Sequence, residues 1–316
     1  MALCARPRPA LARIGAMFER PTARFLTDGK RLLLQHGPID LIVQAFGDEA
    51  AVHAAYRAAK QRFDGLLAEL CQELALLRSP FDRTRAMPVG PVARRMAAAV
   101  APFAQGVFIT PMAAVAGAVA EEIIGVMTAA APLTRAYVNN GGDIALHLTG
   151  RQRFKIGLID RPDLPSLFGT TEIGAADGIR GIATSGYLGR SFSLGIAEAV
   201  TVLAPTAAMA DAAATVIANA VDLPNHPAIQ RVPANSLQPD SDLGAIPITR
   251  TVGALSYDDI ETALGRGLLQ ADRLQKQGLI AAAALHLQAT SRVLGSIAAK
   301  SELELAYADA NSSLAK

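Results

Sequence analysis

The chain has 316 residues, of which 51% are hydrophobic and 18% charged. That is enough apolar material for one large core or two modest ones, and too much for a disordered chain. A net charge of +2, with no Lys/Arg run interleaved with aromatics, argues against a nucleic-acid-binding protein.

With no Trp and 5% aromatic residues, the core has to be aliphatic and rich in Ala and Gly, which favours close backbone packing. Residues 1–24 carry Arg6, Arg8, Arg13, Arg20 and Arg24 against Glu19 alone. They read as a flexible basic tail, with an Arg-rich targeting peptide as the alternative. Cys4 and Cys71 lack metal-ligand spacing, so a reducing, cytoplasmic compartment is expected, with no secretory signal.

Residues 31–35 and 39–46 predict a hairpin joined by His36, Gly37 and Pro38. Residues 48–78 predict one long helix: Val52, Tyr56, Ala59, Phe63, Leu66, Leu67, Leu70 and Leu74 recur at three- and four-residue spacing until Ser79-Pro80. A proline-bearing loop over 80–95, a short helix over 91–100 and a strand over 106–109 precede a small-residue helix over 112–127. The apolar stretch 96–133 is broken by Pro102, Gly106, Pro111, Gly117, Glu121 and Glu122, so no membrane span is expected. The period then falls to two, predicting strands over 135–139, 144–148, 154–159, 180–184, 192–194 and 199–203. A second alanine-rich helix over 206–221 echoes the first, each following an apolar strand. This suggests a duplicated strand–helix unit, or shared composition alone. Residues 222–250, rich in Pro, Asn, Ser and Asp, read as a linker or a long surface loop. Ser256 and Asp259 form a capping box for a helix ending near Gly278, residues 279–288 predict a closing strand, and residues 299–316 a polar tail.

Three features can carry chemistry. On the helix over 206–221, Asp211, Thr215 and Asn219 recur every fourth residue, a polar stripe on a helix otherwise made of apolar residues. Buried polar groups need partners, and carboxylate, hydroxyl and carbonyl oxygens suit Mg²⁺ beside phosphates. The competing structural reading has Asp211 capping a neighbouring segment and Thr215 bonding to its own helix. In Asn139-Asn140-Gly141-Gly142-Asp143, adjacent glycines permit close approach to a ligand, or simply form a tight hairpin turn. In Gly181-Ile182-Ala183-Thr184-Ser185-Gly186-Tyr187-Leu188-Gly189-Arg190-Ser191, backbone N–H groups and Arg190 can hold phosphate oxygens. No Gly-Lys-Ser/Thr follows, so this is no Walker loop. Ser185 lacks a strand–turn–helix setting, so no catalytic nucleophile is assigned. His36, His53, His147, His226 and His286 are scattered without zinc-ligand spacing.

In order, Thr110-Pro111-Met112-Ala113-Ala114-Val115-Ala116-Gly117-Ala118-Val119-Ala120-Glu121, Asn140-Gly141-Gly142-Asp143-Ile144, Gly181-Ile182-Ala183-Thr184-Ser185-Gly186 and Ala210-Asp211-Ala212-Ala213-Ala214-Thr215 span roughly 25–290. This succession resembles the ApbE-like proteins, a branch of the superfamily that contains FAD:protein FMN transferase. The resemblance implies a single α/β (α+β) domain over 25–298, with two similar, mostly antiparallel sheet-plus-helix halves packed together. It implies a Mg²⁺ site at Asp211 and Thr215, the positions of an Ala-Asp-x-x-x-Thr segment that holds Mg²⁺ beside the FAD pyrophosphate. It also implies ligand-facing loops at Asn140, Gly141, Gly142 and Asp143, and at Thr184, Ser185, Gly186, Arg190 and Ser191. In the transferases the metal helps FMN pass to a protein Thr or Ser with release of AMP. Two elements depart from that pattern. Ala118-Val119-Ala120 lacks the transferases' lysine, and Arg190-Ser191-Phe192-Ser193-Leu194-Gly195-Ile196-Ala197 lacks their His-x-Ile-x-Asp-Pro.

The first functional reading is therefore a cytoplasmic Mg²⁺-dependent, transferase-like enzyme acting on FAD or another small phosphate-bearing cofactor. The second is a cofactor-biosynthesis enzyme of one-carbon metabolism, with a tetrahydromethanopterin-type pterin. The third is a non-catalytic binding protein that kept the fold. No nucleic-acid or membrane partner is expected, and so apolar a chain suggests a homodimer.

Overall fold

The computed structural model describes residues 20–159, 167–295 and 298–299. Of the two expected tails, residues 1–19 and 300–316 lie outside the described residues.

The chain opens with strands β1 (Thr22–Phe25), β2 (Leu32–His36) and β3 (Ile39–Phe46), then helices α1 (Glu49–Phe63), α2 (Leu66–Gln72), α3 (Leu74–Leu77), α4 (Pro91–Val100) and α5 (Val115–Ala130). Strands β4 (Arg135–Asn140), β5 (Asp143–Leu148), β6 (Arg153–Ile159), β7 (Leu167–Gly174), β8 (Gly181–Ser185) and β9 (Ala199–Ala204) lead to helix α6 (Ala207–Ala220). The remainder is β10 (Ile229–Pro233), α7 (Ala234–Leu237), β11 (Pro247–Val252), α8 (Tyr257–Lys276), β12 (Ala282–Leu287), β13 (Thr290–Leu294) and β14 (Ala298–Ala299).

Nine strands form one antiparallel sheet in the order β1-β2-β3-β4-β5-β8-β9-β12-β13. Helices α1, α5, α6 and α8 cover one face. The small sheet β14-β7-β6 covers the other, where Ile173 meets Leu146, Leu148, Ile182 and Leu203. Coverage on both faces explains why β9 and β12 are buried along their whole length, whereas β3 buries only Ile39, Leu41, Val43 and Ala45. Mixed α/β architecture with mostly antiparallel sheets is thus the fold.

A topological repeat runs through it. Hairpin β2–β3, helices, and hairpin β4–β5 form one half; hairpin β8–β9, helices, and hairpin β12–β13 form the other. The halves meet at β5 and β8, which pair only through Ile144 opposite Ile182 and Ala145 opposite Gly181. In this repeat α6 follows β9 as α1 follows β3. The two alanine-rich helices α5 and α6 are neighbours in contact, not topological equivalents.

Several elements differ from expectation. The expected helix over 48–78 is three helices, because Gly65 takes φ +87 and Glu73 leaves the helical region. The apolar period continues across the break because α2 buries Leu66, Leu67 and Leu70 in the same core as α1. Residues 106–109 and 192–194 are not strands, since neither segment joins a sheet. Residues 222–250 are neither linker nor open loop: β10 and β11 pair as a hairpin, tied to the body by Thr249 N–H to Ser193 O and Arg231 to Leu194 O. Thr22 to Phe25, partly assigned to the tail, pair with β2. The stretch Pro111–Ala130 is long and apolar enough to cross a membrane by length and composition. Here it lies in the core, with Ala118, Val119, Ala120, Ile123 and Met127 shielded from solvent.

Candidate functional site

The tight turn between β4 and β5 needs glycine: Gly141 has φ +66 and Gly142 φ +116. Asn139 Oδ1 accepts the Gly142 N–H at 2.8 Å, and Asn140 Nδ2 donates to Ala116 O at 3.1 Å. The turn is therefore docked onto the N-terminal end of α5. Asp143 opens β5, and its Oδ1 accepts the Thr184 N–H at 3.2 Å from the end of β8. Thr184 in turn shares a hydrogen bond with buried Thr201 of β9, Oγ1 to Oγ1 at 2.9 Å.

Asp211 approaches the same point from α6. Its Oδ2 accepts the Gly117 N–H at 3.0 Å, one of the unpaired donors in the first turn of α5. The approach is possible because residue 117 is glycine: a Cβ there would sit 2.2 Å from Ala207 O. The contact is reciprocated, since Glu121 of α5 accepts the Ala208 N–H at 2.8 Å in the first turn of α6. Two small-residue helices thus cap one another's N-termini across the seam.

The seam gathers two acids separated along the chain. Burial pushes the Asp143 carboxyl up to about 7, against the Thr184 N–H that favours its charged form. Burial, then the Asp143 charge, raises Asp211 well above the usual carboxylate range, opposed by the Gly117 and Ala116 N–H groups. Two desolvated carboxyls that repel one another can share protons or hold a cation.

The expected ligand loops converge in part. Asn140, Asp143, Thr184, Asp211 and Gly117 form one connected cluster. Thr215 is half-buried one turn beyond Asp211 on α6, while Asn219 holds the loop after Gly186, accepting Leu194 N–H at 2.9 Å and Ser193 Oγ–H at 3.2 Å. Ser185 is half-buried opposite Val200, and Gly186 packs where a Cβ would lie 2.2 Å from Glu198 O, so these two are fixed by strand packing. Arg190 leans back over the glycine turn toward Asp40 at 3.8 Å, and Ser191 is exposed. Sequence reasoning missed Thr201, Glu121 and the Gly117 N–H. Glu121 was visible as an acid within an apolar helix, but its partner lies far along the chain.

A family profile described as "AbpE bacteria" matches residues 23–298. Relatives include a UPF0280 protein of Methanopyrus kandleri, 42% identical over 130 residues, covering 40% of this chain and 48% of that protein. A UPF0280 protein of Methanosphaerula palustris is 35% identical over 164 residues, covering 47% and 62%. The chain therefore spans about half the length of the curated relatives it matches. Among solved structures, the apo flavinyl transferase ApbE of Pseudomonas stutzeri is 12% identical with a TM-score of 0.40, over 91% of this chain and 97% of that one. With the profile running from β1 to β14, the chain belongs to the AbpE bacteria family.

Proposed function

We propose that the seam binds a divalent cation together with a small phosphate-bearing cofactor, Mg²⁺ and FAD in the first instance, and that the chain acts on that cofactor as a transferase-like enzyme. The observation that carries this reading is the convergence of two half-buried carboxyls, Asp143 at the start of β5 and Asp211 on α6: burial raises both, and the Asp143 charge raises Asp211 further. A cation between them would offset both the burial and the repulsion.

The donor set fits Mg²⁺ in one way and not in another. Among the described residues no group of three or more His, Cys, Asp or Glu side chains could cage a metal. Mg²⁺ seldom uses such a cage; one or two carboxylates plus water and phosphate oxygens are its usual partners. Asp211 and Thr215 on α6, with Asp143 opposite, supply that kind of partial shell, and each carboxylate spends only part of its acceptor capacity on backbone N–H groups. When bound, the cation would neutralise phosphate charge and polarise the bond that breaks. The chain's own part is positional. Asn140 fixes the glycine turn against α5, Asp211 ties α6 to the same helix end, and Thr184, braced by Thr201, orients Asp143.

Binding is tested by thermal melts of the whole chain with FAD at saturating Mg²⁺. A ligand at a hundred times its Kd stabilises by about 2.7 kcal/mol, so a clear rise in Tm is expected. No shift with FAD, alongside a shift with a phosphorylated pterin, would move the assignment to the second cofactor class. Replacing Asp211 with Asn should abolish the Mg²⁺ dependence; an unchanged metal response would leave Asp211 as a helix cap only.

A further inference from the structure

We propose that Arg190 is a two-position clamp: paired with Asp40 in the free protein, and transferred to a phosphate of the seam ligand on binding. This rests on the ligand reading above and adds the residue that senses the ligand's charge.

Arg190 belongs to the second half of the fold, on the loop between β8 and β9, yet it reaches the first half. Its Nη2 lies 3.8 Å from Asp40 Oδ2 on β3. Its Nη1 passes over Gly141, where a Cβ would be only 3.3 Å away. The guanidinium therefore lies across the glycine turn that leads into Asp143.

The Asp40 contact is built to be exchanged. At 72% and 38% side-chain exposure, and at 3.8 Å, this pair is weak. Asp40 is held in place by Gln35, whose Nε2 donates to Asp40 Oδ1 at 2.8 Å, so the acid stays behind when the arginine leaves. A guanidinium gains more from a phosphate, which it can engage with two parallel charge-assisted bonds. Asp40 thus keeps Arg190 poised over the turn and competes mildly with the ligand. Gly141 and Gly142 keep that path clear of side chains.

The test is calorimetric titration of the whole chain, with Mg²⁺ present, by FAD, by inorganic pyrophosphate and by phosphate-free riboflavin. Arg190→Gln should weaken FAD and pyrophosphate about tenfold and leave riboflavin unaffected. Asp40→Asn should tighten both phosphate ligands about two- to fivefold, Asp40→Glu should return them to the wild-type value, and Asp40→Asn should do nothing in the Arg190→Gln background. If the wild-type chain binds neither FAD nor pyrophosphate, the seam ligand is rejected and the clamp with it. If it binds both while Arg190→Gln and Asp40→Asn change nothing, the clamp alone is rejected. An equal loss for riboflavin would also overturn it, by making Arg190 a packing residue.

Discussion

Asp143 and Asp211 bind protons more tightly in the folded chain than in the unfolded one, where an aspartate titrates near 3.8. Protons held preferentially by the folded state stabilise it at low pH. For this pair the contribution is complete below the unfolded value and is lost as pH rises through the folded one, for Asp143 through about 7. With EDTA present, the Tm should therefore fall between pH 5 and pH 8. Asp211→Asn should flatten the slope, because it removes one of the two titrating groups. Mg²⁺ should oppose the fall, since it favours the ionised pair. A metal-free melt that becomes more stable over this range would reject the desolvated pair as the dominant titration. At this scale helical spacing displays Asp211, Thr215 and Asn219 directly as one polar stripe, of which Asp211 and Asn219 accept hydrogen bonds from outside their helix. The sequence was silent on Asp143 meeting Asp211, since nothing in a Gly-Gly-Asp turn says which helix end it will face.

The joined N-termini of α5 and α6 account for the small residues at their contact, Gly117 on α5 and Ala207 and Ala208 on α6. Gly117 lets the two backbones touch, and a methyl group there would collide with Ala207 O and C at 2.2 and 2.4 Å. Those are backbone atoms on both sides, so relief requires one helix to move. Gly117→Ala should cost about 3 kcal/mol in urea unfolding, and it should also weaken Mg²⁺ binding, because the Asp211 cap shifts with α6. Retention of wild-type stability would mean that the crossing is looser than its distances indicate. Glu121 both caps α6 and pairs with Arg95 at 3.0 Å. Glu121→Ala should cost about 1 kcal/mol, and Glu121→Gln less, since the amide oxygen still accepts from Ala208. The helices themselves were legible from their period. Their mutual capping was not, because a glycine in an apolar helix signals close approach without naming the partner. The hairpin of β10 and β11 escaped for another reason: Ile248 and Thr249 are buried side by side on β11 and no residue of β10 is fully buried, so neither strand shows the alternation that reveals a half-buried one.

Across the whole molecule, the seam is where the sheet is least held by its own ladder. β3 pairs with β4 from Leu41 opposite Asn140 to Phe46 opposite Arg135, and β9 with β12 from Ala199 opposite His286 to Leu203 opposite Ala282. Between β5 and β8 the register ends after Ile144–Ile182 and Ala145–Gly181, with Leu146 N–H to Arg180 O beyond it. What joins the halves instead is the helix layer and the polar cluster above it: Gly117 on Ala207, Asp211 on Gly117, Glu121 on Ala208, and Asp143 on Thr184. Two of those four contacts involve the carboxyls that repel one another. In the ligand-free protein the amides of residues 143–146 and 180–184 should accordingly exchange faster with solvent than those of β3, β4, β9 and β12, although all six strands lie inside the sheet. FAD with Mg²⁺ should slow the seam amides most, because neutralising Asp143 and Asp211 strengthens the contacts that substitute for the short ladder. Uniform protection along the sheet without ligand, or a ligand effect confined to the outer strands, would show that the seam is neither the weak line of the fold nor the place where the cofactor acts.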